Sequence, residues 1–140
     1  MLLGNDVSMA ILLDADQPAI QKQKEMKEKL LLDCILINSI TDTNKVEIED
    51  LFPEKLYLDA VKQQYRDVDL SFTDEEQKIS GISKRVQVLF NRFGRSFEKW
   101  EPVNVLVDWI QSDKPGEHQI PKQTCQYFES VFKEVNKRLD

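Results

Sequence analysis

The stretch that most constrains this chain is residues 10–16, AILLDAD, in which four apolar residues run directly into two aspartates. A short, continuous apolar run is typical of a strand that is buried in a parallel sheet. Open α/β sheets bind ligands just beyond the carboxyl ends of their strands, which is where Asp14 and Asp16 fall. In an extended chain these two side chains point the same way, so their carboxylates repel each other unless a cation such as Mg²⁺ lies between them. The pattern therefore predicts a divalent-metal site; the simpler alternative is a polar strand end with an aspartate that caps the next helix.

The segments around this strand predict an α/β arrangement with a helical second half. A helix is predicted over residues 19–32, followed by a second parallel strand over 34–37 that continues to 40 and a loop over 41–45. Apolar residues at helical spacing predict further helices over residues 54–65, 82–93 before Gly94, 102–110 and 122–139. Residues 66–81 are polar and poorly periodic, and Thr73 as a cap predicts a short helix there over 74–79. The only histidine, His118, falls in a loop and is expected to be exposed and without a role.

A second group of acidic residues lies in residues 46–53, VEIEDLFP. Apolar and acidic residues alternate there, which predicts an extended piece in which Glu47 and Glu49 share a face and Asp50 is adjacent. The apolar residues are expected to hold the segment against the core, and this would fix the position of a carboxylate.

The bulk properties limit the class of protein. The chain has 140 residues, enough for one domain or a large part of one, and a net charge of −6, which does not suit binding to nucleic acid by phosphate neutralisation alone. Carboxylates that bind a metal ion can still contribute to nucleic-acid binding, because the bound ion supplies local positive charge. The two cysteines, Cys34 and Cys125, match no zinc spacing and suit a reduced, cytoplasmic protein. No signal peptide and no apolar run of membrane-spanning length is present.

The order of motifs resembles the Toprim domain of OLD-family (overcoming lysogenisation defect) nucleases. The resemblance rests on LLDAD, a helix, a strand, IEDLFP and a helix containing YLDAV; it covers residues 10 to about 110 and is firmest over 12–65. The family implies an α/β fold with a Toprim-like, Rossmann-like parallel sheet flanked by helices. It also implies metal-dependent cleavage of DNA and an ATPase domain in the same full-length chain. We expect a partial Toprim-like catalytic domain over residues 1–111, and a loop and C-terminal helix that pack on it over 112–140.

The resemblance also assigns roles to residues. Asp14 and Asp16 match the family's D-x-D pair and would bind Mg²⁺ or Mn²⁺, and Glu49, with Asp50 beside it, matches its later acidic ligands. Lys99, at the start of a helix, is our first choice for the lysine that offsets charge in the transition state, and Lys84 is the second choice. One ion would activate water and the other would stabilise the leaving oxygen.

The sequence departs from the family in one respect. Toprim domains carry an essential glutamate at the end of an earlier strand, and this sequence begins too late to contain it. We therefore expect an incomplete second metal site and weak or absent cleavage by this piece alone. The DNA structure recognised and the oligomeric state stay open, with a homodimer as one option.

Two other functions compete with the nuclease. Haloacid-dehalogenase-like phosphatases also use a strand that ends in D-x-D, but they usually place Thr or Val where this chain has Pro18, and they have no counterpart of IEDLFP. A non-catalytic Toprim-like scaffold, whose helices pack on an ATPase or another subunit, is the other alternative. Such a scaffold would have no need of a metal ion.

Overall fold

The protein is seen in a computed structural model that describes residues 9–30, 34–41, 45–112 and 116–139. Within these ranges the chain is mostly helical and carries a small two-stranded parallel sheet. Its elements are β1 (Ile11–Leu13), α1 (Gln17–Leu30), β2 (Cys34–Leu36), α2 (Ile37–Thr41), a 3₁₀ turn (Ile48–Leu51), α3 (Glu54–Gln64), α4 (Asp74–Gln77), α5 (Ile82–Arg92), α6 (Trp100–Gln111), a 3₁₀ turn (Gly116–His118) and α7 (Lys122–Leu139).

The described residues form two compact units. One groups residues of Met1–Ile48 with those of Gln126–Asp140, and the other comprises Glu49–Cys125. The division into 1–111 and 112–140 stays a prediction, because these units group segments by contact and not by independent folding.

The first unit contains the predicted β–α–β arrangement. β1 and β2 are parallel with Ile11 opposite Cys34 and Leu13 opposite Leu36, and α1 connects them. β1 is half-buried along its length, so it is less enclosed than a strand covered on both faces. The amide of Gln23 on α1 donates to the carbonyl of Cys34 at 2.9 Å, which fixes the helix to the second strand.

The second strand is shorter than predicted. It ends at Leu36, and residues 37–41 form α2 instead of continuing the strand to 40. The hydroxyl of Ser39 donates to the carbonyl of Leu36 at 2.6 Å, and that of Thr41 donates to the carbonyl of Ile37 at 3.2 Å. Local bonds of this kind favour a helical turn over the extended form. Most of the loop predicted over 41–45, and the last two residues of the helix predicted over 19–32, lie outside the described ranges.

The second unit is helical around an apolar core. The helices predicted over residues 54–65, 82–93 and 102–110 are confirmed with small shifts at their ends. Tyr65 packs edge-to-face on Phe90, with ring centroids 4.8 Å apart. α5 ends at Arg92, and Gly94 follows its C-cap Phe93 in a left-handed conformation at φ 67° that glycine adopts without steric penalty, as expected of the predicted stop. The fully buried members of this core include Tyr57, Ala60, Val61, Val86, Leu89, Phe90 and Leu106.

Candidate functional site

The loop after β1 carries the two aspartates of the D-x-D motif. Asp14 follows the last residue of β1, and Asp16 precedes the first residue of α1. Between them, the backbone amide of Ala15 donates to the carbonyl of Val46 at 2.6 Å. This bond ties the loop to the segment around Val46, so both aspartates start from an anchored backbone at the carboxyl end of β1.

Asp16 is the N-cap of α1. Its Oδ1 accepts a hydrogen bond from the backbone amide of Ala19 at 2.8 Å, and its negative charge suits the positive end of the helix dipole. This is the capping role that the sequence offered as the simpler alternative. A carboxylate has several lone pairs, so a capping bond to one oxygen does not prevent it from also binding a cation.

The segment VEIED is not extended, as the sequence predicted, but turns as a 3₁₀ helix over Ile48–Leu51. Glu47 and Glu49 are buried, with 1% and 5% of their surface exposed, whereas Ile48 is 37% exposed. The apolar residue therefore faces solvent and the two carboxylates do not. Burial of a carboxylate is unfavourable without compensating partners, so the contacts of these two side chains decide whether the turn is stable.

Glu49 is paired with the lysine that the sequence analysis singled out. Its Oε1 lies 3.6 Å from Nζ of Lys99, whose side chain is 54% exposed. The phenol of the buried Tyr57 donates to the backbone carbonyl of Lys99 at 3.4 Å, which ties the residue before α6 to the core. Lys84, the second choice, is half-buried on α5.

Two further hydrogen bonds, one to Asp50 and one to Leu51, fix the 3₁₀ turn. Oδ1 of Asp50 accepts from the backbone amide of Ile82, the first residue of α5, at 2.8 Å. The carbonyl of Leu51 accepts from the hydroxyl of the buried Thr124 at 3.0 Å. Asp50 therefore has a structural role at the start of α5. This contact could not be predicted from sequence, because Asp50 and Ile82 are far apart in the chain.

The fit of a divalent ion depends on the oxygen donors. Within the described residues, no group of three His, Cys, Asp or Glu side chains is arranged to hold a metal ion. Mg²⁺ in proteins is nevertheless often held by only one or two carboxylates, with water and substrate phosphate as its remaining ligands. Asp14 and Asp16 supply hard oxygen donors on one anchored loop, so their chemistry fits such an ion.

His118 is not idle in the way the sequence suggested. It is half-buried, and its ring stacks on Trp109 with centroids 3.7 Å apart and planes 3° from parallel. This stacking contact gives His118 a role in packing.

Comparison of the chain with protein-family models, with curated proteins and with solved structures finds no match. In the part of the chain that the structure describes, no helix is both long and apolar enough to cross a membrane.

Proposed function

We propose that this chain is the Toprim-like, metal-dependent endonuclease domain of an OLD-family ATPase-nuclease that hydrolyses phosphodiester bonds in DNA. The observation that carries the proposal is the β1–α1–β2 unit, in which Asp14 directly follows a strand of a parallel pair and Asp16 directly precedes the connecting helix. This is the position at which α/β folds bind their ligands. The two free cysteines suit a reducing compartment such as the cytoplasm.

Each candidate residue has a role in this proposal. Asp14 and Asp16 would hold Mg²⁺ or Mn²⁺, and the bound ion would supply an activated water and stabilise the leaving oxygen. Glu49 and Asp50 remain ligands that only the sequence resemblance implies. The exposed ammonium of Lys99 would offset negative charge on the phosphate.

A non-catalytic scaffold is the second candidate, and specific contacts favour it. Asp16 caps α1, Asp50 binds the first amide of α5, and Glu49 pairs with Lys99. Each of these acids therefore has a structural use that needs no metal ion. The two candidates differ in one measurable property, which is affinity for Mn²⁺.

Calorimetric titration of Mn²⁺ into the chain tests the proposal. We expect the wild type to bind Mn²⁺, and Asp14→Ala and Asp16→Asn to lose that binding. Asparagine is as good an N-cap as aspartate, so Asp16→Asn keeps the cap of α1 while it removes the charged ligand. Asp16→Ala is the poorer choice because loss of the cap costs about 1 kcal/mol of stability.

Asp108→Asn is the matched control. Asp108 is exposed on α6, and its substitution changes the net charge by the same amount as Asp16→Asn. We expect the control to bind Mn²⁺ like the wild type. No heat of binding in the wild type, or equal binding in all four proteins, would contradict the metal site and favour the scaffold.

A further inference from the structure

A basic groove lies in the first unit, between α2 and the C-terminal half of α7. It is a cleft of about 580 Å³, and its polar lining residues are Ser39, Ser130, Lys133, Glu134, Lys137 and Arg138. Three cationic side chains and one carboxylate give the lining an excess of two positive charges. The chain as a whole has a net charge of −6, so this groove is a local reversal of sign on an acidic protein.

Lys133 and Lys137 are the distinctive pair in the groove. They lie four residues apart on α7, where like charges on one helical face repel each other. Within the described residues, neither ammonium makes an ion pair or a hydrogen bond. Arg138 differs, because its Nε donates to Oε1 of Glu134 at 3.2 Å. An anion between the two lysines would relieve their repulsion.

The hydroxyl groups of the groove indicate what kind of anion it suits. Ser39 donates its proton to the carbonyl of Leu36, and Ser130 donates to the carbonyl of Gln126 at 3.0 Å. Both hydroxyl protons are therefore used within the protein, and the groove would attract an anion by its positive charge and not by hydroxyl donors. Lysine acts as a flexible point charge, and this suits contact with a repeating phosphate backbone better than selection of one small molecule.

We propose that the basic groove binds the phosphodiester backbone of nucleic acid through Lys133 and Lys137. The choice of nucleic acid over other phosphate compounds rests on the proposed nuclease function. The groove thereby deepens that function, because it gives an acidic chain a positive contact for its substrate. Association would be steered by the local field and weakened by salt.

Fluorescence anisotropy with a short labelled DNA duplex tests the groove, with EDTA present so that no metal ion contributes. The salt slope for two phosphate contacts is about 1.8, so the two lysines should account for an affinity loss of about tenfold between roughly 50 and 200 mM salt. We expect Lys133→Gln/Lys137→Gln to bind more weakly than the wild type and to lack this share of the salt dependence. Circular dichroism checks that the variant is folded.

The matched control is Lys62→Gln/Lys122→Gln, which removes the same charge from two exposed positions outside the groove. It should bind DNA like the wild type. An equal loss of affinity in both double variants would overturn the proposal, because net charge alone would then explain it. Failure of the wild type to bind the duplex at about 50 mM salt would overturn it as well.

Further measurements distinguish nucleic acid from free phosphate as the ligand, and failure of the groove from failure of the metal site. Inorganic phosphate at millimolar concentration should compete only weakly with the duplex; complete displacement would identify free phosphate as the ligand and contradict a nucleic-acid groove. Because EDTA removes any bound ion, the D-x-D pair makes no metal contact with DNA in the anisotropy experiment. Failure of the metal site would thus appear in the Mn²⁺ titration alone, and failure of the groove in the anisotropy alone.

Discussion

Glu47 and Glu49 are each almost fully buried, and they flank an isoleucine that is more exposed than either. The effective penalty for burial of one ionised carboxylate is several kcal/mol before its partners compensate. The partners of each carboxylate must therefore offset that penalty in the folded state. The contact of Glu49 with an exposed lysine gives that carboxylate a partner that a ligand could displace.

Glu76 offers a test of a buried charge whose partners are all defined. Its carboxylate binds Arg92 at 2.9 and 3.1 Å, and it completes a capping box with Thr73 at the start of α4. The hydrogen bond with the Arg92 guanidinium, together with the amide of Thr73, lowers the pKa of Glu76 below its ordinary value of 4.5. The folded state therefore favours the carboxylate. Its contribution to stability is complete above pH 4.5 and is lost as the pH falls through the folded-state pKa.

We expect Glu76→Gln to lower the melting temperature at neutral pH, with a difference from the wild type that shrinks as the pH falls below 4.5. Glutamine can still complete a capping box, so the variant removes the charge and retains the cap. Glu75→Gln is the control, because Glu75 is exposed and pairs with Lys78 at only 3.7 Å. Melting curves across the pH range provide the measurement. A difference that did not change with pH would contradict the role of the carboxylate charge.

Helices α3, α5 and α6 supply the core of the second unit. On α6, two consecutive residues differ sharply in burial. Leu106 is fully buried, whereas the next residue, Val107, is 41% exposed. We expect Leu106→Ala to lower the free energy of unfolding by about 2–5 kcal/mol, because it removes apolar contacts and leaves a cavity. Val107→Ala should change it by only about 0.5 kcal/mol. Denaturant titration measures both, and similar losses would mean that α6 packs by a different face.

The sequence predicted the helices with clear boundaries and missed the elements decided by local polar bonds. The Thr73 cap and Gly94 both mark helix ends, and both boundaries are confirmed to within two residues. The β-branched Ile37 and Ile40 favoured continuation of the strand to residue 40, yet side-chain bonds from Ser39 and Thr41 accompany a helix over residues 37–41. Alternation over residues 46–51 likewise predicted an extended piece. The turn was missed because an alternating pattern carries no information about the hydrogen bonds that shape it.

The candidate site was predictable only in part. Asp14 and Asp16 could be placed because they border a strand and a helix that the local pattern defines. The pairing of Glu49 with Lys99 was not predicted as a contact, because the two lie far apart in sequence and pack together only in the folded unit. The lysines of the basic groove were also missed, since a pair of charges on an amphipathic helix is ordinarily a solvated face. Their spacing of four residues places both lysines on one face of α7, but the acids Glu129 and Glu134 lie at neighbouring helical positions, so the sequence alone did not mark the pair.

For the whole molecule, the negative net charge must be reconciled with the proposed binding of DNA. A chain with a net charge of −6 repels DNA overall, and two features oppose that repulsion. In the proposal, one is the basic groove, which would act without metal, and the other is a cation that Asp14 and Asp16 would hold. Dissolved Mn²⁺ also screens phosphate and weakens contact with the groove. The bound and the screening ions therefore have opposite effects on DNA affinity, and a variant can separate them.

We expect Mn²⁺ to raise the DNA affinity of the wild type relative to that of Asp14→Ala, because only the wild type can hold an ion that also contacts a phosphate. A typical coupling between two ligands is about 5–150-fold, and thermodynamic linkage requires DNA to raise the affinity for Mn²⁺ by the same factor. Anisotropy with and without Mn²⁺ measures the first effect, and calorimetry with and without an uncleaved duplex measures the second. Asp108→Asn should behave like the wild type in both. If Mn²⁺ changed the DNA affinity of the wild type and of Asp14→Ala by the same factor, the ion would be acting only through screening, and the D-x-D pair would have no part in binding the substrate.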